Sequence, residues 1–420
     1  MSDASLLSLS AVAAVAALDA GEVSPPELVD ALADRVAAVD GTVNALPITD
    51  FDMARDRARE LGALRPRERG RLRGLPVAIK DLSEVAGMRT TFGSPIFADL
   101  VPTADAPVVS VLRDSGAVFY AKSNTPEFGA GANTFNEVFG ATRNPWNTAL
   151  SAAGSSGGSA VALATGMAWL AHGSDMGGSL RNPASFNNIV GMRPSPGRVA
   201  DSRINCVDDT LGVEGPMART VADLALCFDA MCGPHPADPI SKERPPVDFA
   251  EAMRTPPRLR RVAWSADLGI TPVDPEVAEI TRAAAARFAE AGVEVEEAHP
   301  DMSGAHESFQ TLRAASFATG LAPLLDKHRD KLKPEVVWNV EKGLALTAGD
   351  IARAEHQRAL LMRRMMGFLS RYDLLLTPAT IVAAYPVEQR YVERCDGVEF
   401  GNYVEWLSIA YAVTLTCCPA

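Results

Sequence analysis

The chain has 420 residues, of which 47% are hydrophobic, so it carries enough apolar sequence to bury a large core. Its formal net charge of -12 argues against nucleic acid or an anionic membrane as its main partner. Its six cysteines show no C-x-x-C spacing, which indicates neither a disulfide framework nor a zinc site. We therefore expect a cytoplasmic protein without a bound metal.

The first 80 residues predict helices followed by a buried strand. The Ala/Leu/Val stretch between Asp3 and Asp19 is typical of an amphipathic helix, and it is too short and too polar at its ends for a signal peptide or a membrane span. Ser24–Glu27 has the sequence of a capping box at a helix start. A charged helix over Phe51–Leu61 and an apolar strand over Leu75–Ile79 follow.

From residue 108 onward, predicted helices alternate with short apolar runs. The helices are Val108–Arg113, Ser159–Gly166, Thr220–Met231 and Pro275–Ala291, and the strands are Val118–Ala121, Trp169–Ala171, Arg260–Trp264, Val293–Val295 and Tyr372–Thr377. Because these runs lack a period of two, they predict strands covered on both faces. We predict an α/β fold with a mixed, mostly parallel twisted sheet surrounded by helices.

We expect one domain over residues 1–420, with most of the motifs in residues 74–200. Pro234–Pro246 is rich in proline and charge and predicts a loop. Ser303–Tyr372 predicts mainly helices. This helical region fits either a cap that forms part of a substrate pocket or a peripheral layer.

Two glycine-flanked serines carry the chemistry of this sequence. Ser155 lies in Gly154–Ser159 and Ser179 in Asp175–Arg181, and about one helix and one strand separate the two motifs. Lys80 ends the apolar strand upstream. Together these residues supply a nucleophile, a proton relay and a base without a histidine. This combination indicates hydrolysis of amide-like bonds by acyl transfer.

Each serine motif is weak by itself. The Met176–Gly178 backbone before Ser179 fits either an oxyanion hole or an ordinary glycine-rich turn. Ser155 fits either an unusual backbone conformation, including a cis non-proline peptide bond, or a flexible loop. Asp175 and Arg181 flank the second motif, and we expect them to form an ion pair that holds the loop.

Three other interpretations fail or are weaker. Gly154–Gly158 matches the nucleophile elbow G-x-S-x-G but lacks the strand before it, and Ser156 is as well suited to cap the following helix. Val77–Lys80 matches the V-A-I-K of kinases, but neither a phosphate loop before it nor H-R-D or D-F-G after it is present. His172 is the only histidine near a motif, and a packed histidine at a strand end is the simpler interpretation.

The motifs taken together resemble the amidase signature family. The segments that carry the resemblance, in order and spacing, are Pro76–Asp81, Ala121–Phe128, Gly140–Trp146, Gly154–Ser159 and His172–Pro183. Gly215–Thr220 and Tyr372–Pro378 extend it over essentially the whole chain. Any one motif is modest evidence, whereas the ordered set is very specific.

The resemblance implies a Ser–cis-Ser–Lys triad in which Ser179 is the nucleophile, Ser155 the cis-serine and Lys80 the base. It also implies a mixed sheet surrounded by helices and no cofactor. The residues implied for the oxyanion hole and for substrate binding are Gly129, Met176, Gly177 and Gly178, with Ser156, Asp175 and Arg181 in support.

The sequence departs from the family pattern at several places. Ala153 replaces a common glycine, and Asn187-Asn188 and Met192-Arg193 replace the common Cys-Gly and Leu-Lys, which predicts altered efficiency or specificity. Thr414–Ala420 resembles a family segment after which relatives continue through further strands. Either the sequence is truncated there or the last strands of the family fold are absent, and a sheet edge would then be uncovered.

The sequence thus predicts a serine amidohydrolase that cleaves small amides, including arylamides and carbamates (urethanes), through an acyl-enzyme. One alternative is a glutamyl-tRNA amidotransferase A-type subunit that is active only in a complex, and another is a catalytically silent binding protein. We expect a small-molecule amide or carbamate substrate, no nucleic-acid or membrane partner, and a homodimer as the default assembly.

Overall fold

The computed structural model describes residues 3–202 and 206–420. The helices of these ranges are α1 (Asp3–Ser8), α2 (Ala11–Ala20), α3 (Pro25–Val43), α4 (Phe51–Gly62), α5 (Pro107–Asp114), α6 (Gly157–Ala164), α7 (Arg181–Asn187), α8 (Val221–Met231), α9 (Phe249–Ala252), α10 (Pro275–Glu290), α11 (Ala305–His328), α12 (Pro334–Leu344), α13 (Ala348–Leu369) and α14 (Ser408–Leu415).

The strands are β1 (Ile48–Thr49), β2 (Pro76–Lys80), β3 (Val118–Ser123), β4 (Phe135–Asn136), β5 (Gly140–Ala141), β6 (Leu170–Asp175), β7 (Val190–Gly191), β8 (Val213–Ala218), β9 (Arg261–Trp264), β10 (Glu294–Glu297), β11 (Leu374–Leu376), β12 (Arg394–Cys395) and β13 (Val398–Glu399). No helix in the described ranges combines the length and the apolar character needed to cross a membrane.

Local sequence signals account for most element boundaries. The backbone N–H of Ser24 donates to Glu27 Oε2 at 2.7 Å, which confirms the predicted capping box at the start of α3. The single N-terminal helix that the sequence predicts is instead two helices. Ser10 separates them, because its hydroxyl accepts the N–H of Ala13 and caps α2.

The central sheet is mixed, as predicted, with the strand order β1-β3-β2-β6-β8-β7. Its centre is parallel, since β2 pairs with β3 and β6 in that sense, while β1, β8 and β7 join antiparallel. A second sheet, β10-β9-β11, is parallel throughout. Strand β8 was not predicted from the sequence, because Gly215-Pro216 within it is typical of turns rather than strands.

The parallel centre of the sheet brings the motifs to one edge. Val77 of β2 lies beside Leu170 of β6, so the two strands end at the same side, at Lys80 and Asp175. Functional groups of α/β proteins typically gather at this carboxyl edge. The loops after both strands therefore face a common space.

Helix α6 packs directly onto the backbone at this edge. A Cβ at Gly158 would lie 2.3 Å from the backbone nitrogen of Asn124 and 2.6 Å from the oxygen of Ala45. Only glycine permits this approach. The close packing fixes the position of the Ser155 loop, which immediately precedes α6.

The second half of the chain adds a helical layer. The region 303–372 contains α11, α12 and α13, in agreement with the helical prediction, and Pro234–Pro246 contains no helix or named strand. Helices α11 and α14 share a second hydrophobic core with the loops that follow β11. Next to β7, Arg193 and Ala420 exchange backbone hydrogen bonds of 2.7 and 2.9 Å.

Candidate functional site

Lys80, the last residue of β2, is fully buried. Its Nζ donates to Ser155 Oγ at 2.7 Å and to Ser174 Oγ at 3.0 Å. Burial lowers the pKa of Lys80 to about 7, although the carboxylates of Glu214 and Asp175 act in the opposite direction. A substantial fraction of this amine is therefore neutral at physiological pH and able to accept a proton.

Ser155 lies in the tight loop before α6. The Gly154–Ser155 peptide bond is cis, the conformation that the family resemblance implies for this serine. The loop is tied to the second serine motif, because the N–H of Ser156 donates to the carbonyl oxygen of Ser179 at 3.2 Å. The Ser156 hydroxyl also donates to the carbonyl of Ser174 at 3.3 Å. Hydrogen bonds from Ser156 thus join the loop of Ser155 to the segment that carries Ser179.

The turn that carries Ser179 follows β6 and depends on Gly178. This glycine has φ +111°, and a Cβ there would lie 2.7 Å from Asn182 Oδ1 and 2.8 Å from the Ala410 Cβ. Its N–H, which the resemblance assigns to the oxyanion hole, donates to Asp175 Oδ1 at 3.1 Å. Gly178 therefore shapes the turn rather than pointing a free donor at the site.

Three neighbouring backbone donors remain. In the described ranges, no hydrogen bond within the chain uses the N–H groups of Met176, Gly177 or Ser179. Met176, Gly177 and Ser179 also line the cavity described below. Adjacent free donors of this kind suit a developing oxyanion.

Asp175 is the anchor of the turn. Its carboxylate accepts from Arg181 Nε at 3.0 Å and Nη2 at 2.9 Å, as expected from the sequence, and it also pairs with Arg193 Nη1 at 3.3 Å. Burial would raise the pKa of Asp175, but the two guanidinium groups outweigh burial and hold it below its ordinary value. The contribution of Arg193 could not be found from the sequence, since no local motif links it to Asp175.

His172 is packed inside the sheet, in agreement with the simpler of its two interpretations. Its Nε2 lies 2.7 Å from Glu214 Oε2, and its Nδ1 faces the backbone N–H of Lys80 at 3.4 Å. Glu214 belongs to β8 and lines the cavity. Glu214 was not predicted as a site residue, because strand β8 was not predicted from the sequence.

A cavity of about 200 Å³ opens over Ser155 and Ser179. Gly129, a predicted substrate contact, lines it, and a Cβ there would lie 3.6 Å from Ser155 Oγ. The large apolar and aromatic residues that line the cavity are Leu82, Phe128, Met176, Phe309, Phe317 and Leu407. Helix α11 supplies part of this wall, so the helical region does contribute to the pocket.

Ser174 is a further residue that the sequence analysis did not single out, although it lies within the His172–Pro183 segment. Its hydroxyl is a second acceptor for the Lys80 amine.

Within residues 3–202 and 206–420, no three His, Cys, Asp or Glu side chains come together in a group that could hold a metal ion.

Comparison with known proteins places the chain in one family. The sequence profile of the Amidase family matches residues 27–420. The acylamidase of Rhodococcus erythropolis is 37% identical over 415 residues, which cover 97% of this chain and 86% of that protein. The A-type subunit of the glutamyl-tRNA(Gln) amidotransferase of Moorella thermoacetica is 34% identical over 399 residues, covering 89% and 82%.

Solved structures of the same family share the fold of this chain. A bacterial aryl acylamidase of the amidase signature family superposes with a TM-score of 0.91 and 26% sequence identity, over 98% of this chain and 88% of that one. The sequence profile, the relatives and the fold agree over nearly the whole chain. The chain therefore belongs to the Amidase family, whose acylamidase members are hydrolases that act on amide bonds.

Proposed function

We propose that the protein hydrolyses amides through an acyl-enzyme formed on Ser179, with Ser155 and Lys80 as its proton relay. The observation that carries this proposal is the 2.7 Å contact between Lys80 Nζ and Ser155 Oγ. It joins a buried amine, whose pKa is about 7, to a serine beside the turn that bears Ser179. A neutral amine so placed is a competent general base.

In this mechanism Ser179 Oγ attacks the amide carbonyl while its proton passes to Ser155, whose own proton passes to Lys80. The negative charge that develops on the carbonyl oxygen is stabilised by the N–H groups of Met176, Gly177 and Ser179. Ser155 then returns a proton to the leaving amine, the C–N bond breaks, and water hydrolyses the ester on Ser179.

The cavity wall supports one class of substrate. Aromatic side chains such as Phe128, Phe309 and Phe317 suit a flat aromatic group next to the scissile amide. The acylamidase and aryl acylamidase relatives support arylamides as substrates. Carbamates place the same carbonyl in the same position and are the next class to test. Cytoplasmic location and a homodimer remain predictions from the sequence.

The relative from Moorella supports a second candidate, an amidotransferase A-type subunit that releases ammonia from glutamine only within a complex. The two candidates differ in what the isolated chain does. An amidohydrolase cleaves anilides by itself, whereas an amidotransferase subunit is nearly inactive alone and gains glutaminase activity when its partner subunits are added.

The deciding experiment is intact-protein mass spectrometry after incubation with a fluorophosphonate, followed by peptide mapping. Attack of Ser179 Oγ on phosphorus expels fluoride and leaves one phosphonyl adduct. We expect a single adduct on Ser179 in the native chain and none in Ser179→Ala. Lys80→Ala should react at least about a thousandfold more slowly, as expected when a base is removed from such a relay.

A surface variant provides the control for this experiment. Lys327, in the last turn of α11, is an exposed lysine, and Lys327→Ala should label at the native rate. Labelling of another residue, or native rates in Lys80→Ala, would contradict the proposed mechanism.

A further inference from the structure

Arg313 is a buried cation in the wall of the cavity. It lies in α11, is 7% exposed, and is the one cationic side chain among the described residues that line this space. Three acidic residues line this space, Asp175, Asp201 and Glu214, and none of them is without a partner. Asp175 is paired with Arg181 and Arg193, and Glu214 with His172.

The contacts that hold Arg313 are all neutral. Its Nη1 donates to Asn339 Oδ1. Its guanidinium carbon lies 4.2 Å from the ring centre of Phe317 and 5.4 Å from that of Tyr403. In the described part of the chain, no carboxylate forms an ion pair with it, in contrast to Arg181, which pairs with Asp175.

A buried guanidinium without a carboxylate is an unusual arrangement, because removing its charge from water is costly unless an anion compensates. The Phe317 and Tyr403 rings lie beside the group, and Asn339 accepts a hydrogen bond from one of its nitrogens. The planar fork of an arginine binds a carboxylate through two parallel hydrogen bonds. A carboxylate in the cavity would therefore complete the coordination of Arg313.

We propose that Arg313 binds a carboxylate of the substrate, so that the preferred substrates are amides that carry a carboxylate away from the scissile bond. Half-amides of dicarboxylic acids and acylated aminobenzoates are the simplest members of this class. This inference rests on the proposed amide hydrolysis at Ser179, since it names the substrates of that site.

Binding to the Ser179→Ala variant tests the inference without turnover. The probes are two matched pairs, glutaranilic acid with its methyl ester and 4-acetamidobenzoate with its methyl ester. They place the carboxylate on the acyl side and on the amine side of the amide. We expect the acid of at least one pair to bind roughly 10- to 100-fold more tightly than its ester, as for a charge-assisted pair of hydrogen bonds.

Substitution of Arg313 then separates charge recognition from support of the cavity wall. Arg313→Gln keeps a hydrogen-bond donor for Asn339 and should abolish the preference for the acid while changing the ester's Kd less than about threefold. Arg313→Lys keeps the charge and should retain part of the preference. Arg282→Gln, on the exposed side of α10, is the control and should bind both probes as the native chain does.

The outcomes distinguish this inference from the proposed function. Equal binding of acid and ester in both pairs, or an equal loss for both in Arg313→Gln, would overturn the role of Arg313 even if Ser179 reacts with fluorophosphonate. The opposite result is an Arg313-dependent preference for the acid in a chain whose Ser179 does not react with fluorophosphonate. It would support the carboxylate site and overturn the hydrolytic mechanism.

Discussion

His172 and Glu214 form a buried pair directly beneath the lysine of the site, with 2.7 Å between Nε2 and Oε2. Because the His172 Nδ1 faces the backbone N–H of Lys80, the imidazole hydrogen lies on Nε2 and is donated to the carboxylate. The pair connects β2, β6 and β8 and keeps a negative charge near the Lys80 amine.

Removing that charge should move the pH dependence of activity. The Glu214 carboxylate raises the pKa of Lys80, so Glu214→Gln lowers it further and makes the amine neutral at lower pH. The native kcat/KM should rise with pH around a midpoint near 7. In Glu214→Gln we expect this midpoint about half a pH unit lower, measured from pH 5.5 to 9 with a neutral anilide.

Glu399→Gln, at an exposed position in β13, is the control for this pH profile. Its midpoint should coincide with that of the native chain. An unchanged midpoint in Glu214→Gln, with only the maximal rate reduced, would show that Glu214 supports the structure without influencing the proton on Lys80.

Replacing Lys80 should stabilise the fold while it abolishes activity. Burial lowers the pKa of Lys80 from 10.5 to about 7, so the unfolded state holds the proton more tightly than the folded state does. This penalty is complete below about pH 7 and fades as the pH rises to 10.5. Lys80→Met should therefore have a higher free energy of unfolding than the native chain at pH 7, and the gain should shrink by pH 10.

Urea denaturation at pH 6, 8 and 10 measures this difference. The m-values of the two chains should agree, because the substitution does not change how much surface unfolding exposes. A Lys80→Met variant that is less stable than the native chain at every pH would indicate that the lysine contributes more through its hydrogen bonds than burial costs.

Asp175 should have the opposite effect on stability. Asp175→Asn leaves the buried Arg181 and Arg193 without a counter-charge, and we expect a loss of about 3–5 kcal/mol at pH 7. The pKa of Asp175 is lowered in the folded chain, so its contribution is present above about pH 4 and declines as the pH falls further. Thermal and urea unfolding should show the difference between the two chains narrowing in acid.

The matched control is an exposed ion pair. Asp30 lies 2.7 Å from Arg55 and its side chain is 59% exposed, so Asp30→Asn should cost less than about 1 kcal/mol. If Asp175→Asn cost no more than Asp30→Asn, the buried cluster would not be the anchor of the Ser179 turn.

Gly178→Ala tests whether the shape of the turn sets activity. A Cβ at this position meets Asn182 and Ala410 below 3 Å in a backbone conformation that L residues rarely adopt. The turn must shift, and a displacement of about 1 Å at Ser179, the proposed nucleophile, is expected to cost roughly 100-fold in kcat/KM. Gly41→Ala, inside α3 with open space around its Cβ, should keep full activity. Native activity in Gly178→Ala would show that the turn tolerates other shapes.

The sequence predicted the elements that carry local signals and missed the contacts that depend on distant pairing. The strand ending at Lys80 and the loop at Ser155 follow from an apolar run and a glycine cluster, both of which are local. The carboxylate of Glu214 reaches the site only because β8 pairs antiparallel with β6. The glycine and proline within β8 prevented the prediction of that strand from the sequence.

The wall of the cavity could not be predicted for a different reason. Phe309 and Arg313 lie on α11, a helix whose apolar residues pack on several sides, so periodicity does not reveal which face meets the cavity. Arg193 likewise joins Asp175 only through the folded backbone.

The groups proposed to react and the groups proposed to select the substrate come from separate parts of the chain. Lys80, Ser155 and Ser179 follow the strands and loops of the first 180 residues, whereas Phe309 and Arg313 belong to one helix more than a hundred residues later. From these proposed roles we expect that varying the inner face of α11 alone changes the substrate range, with Lys80, Ser155 and Ser179 unaltered. A library restricted to that face is a compact route to amidases of altered selectivity.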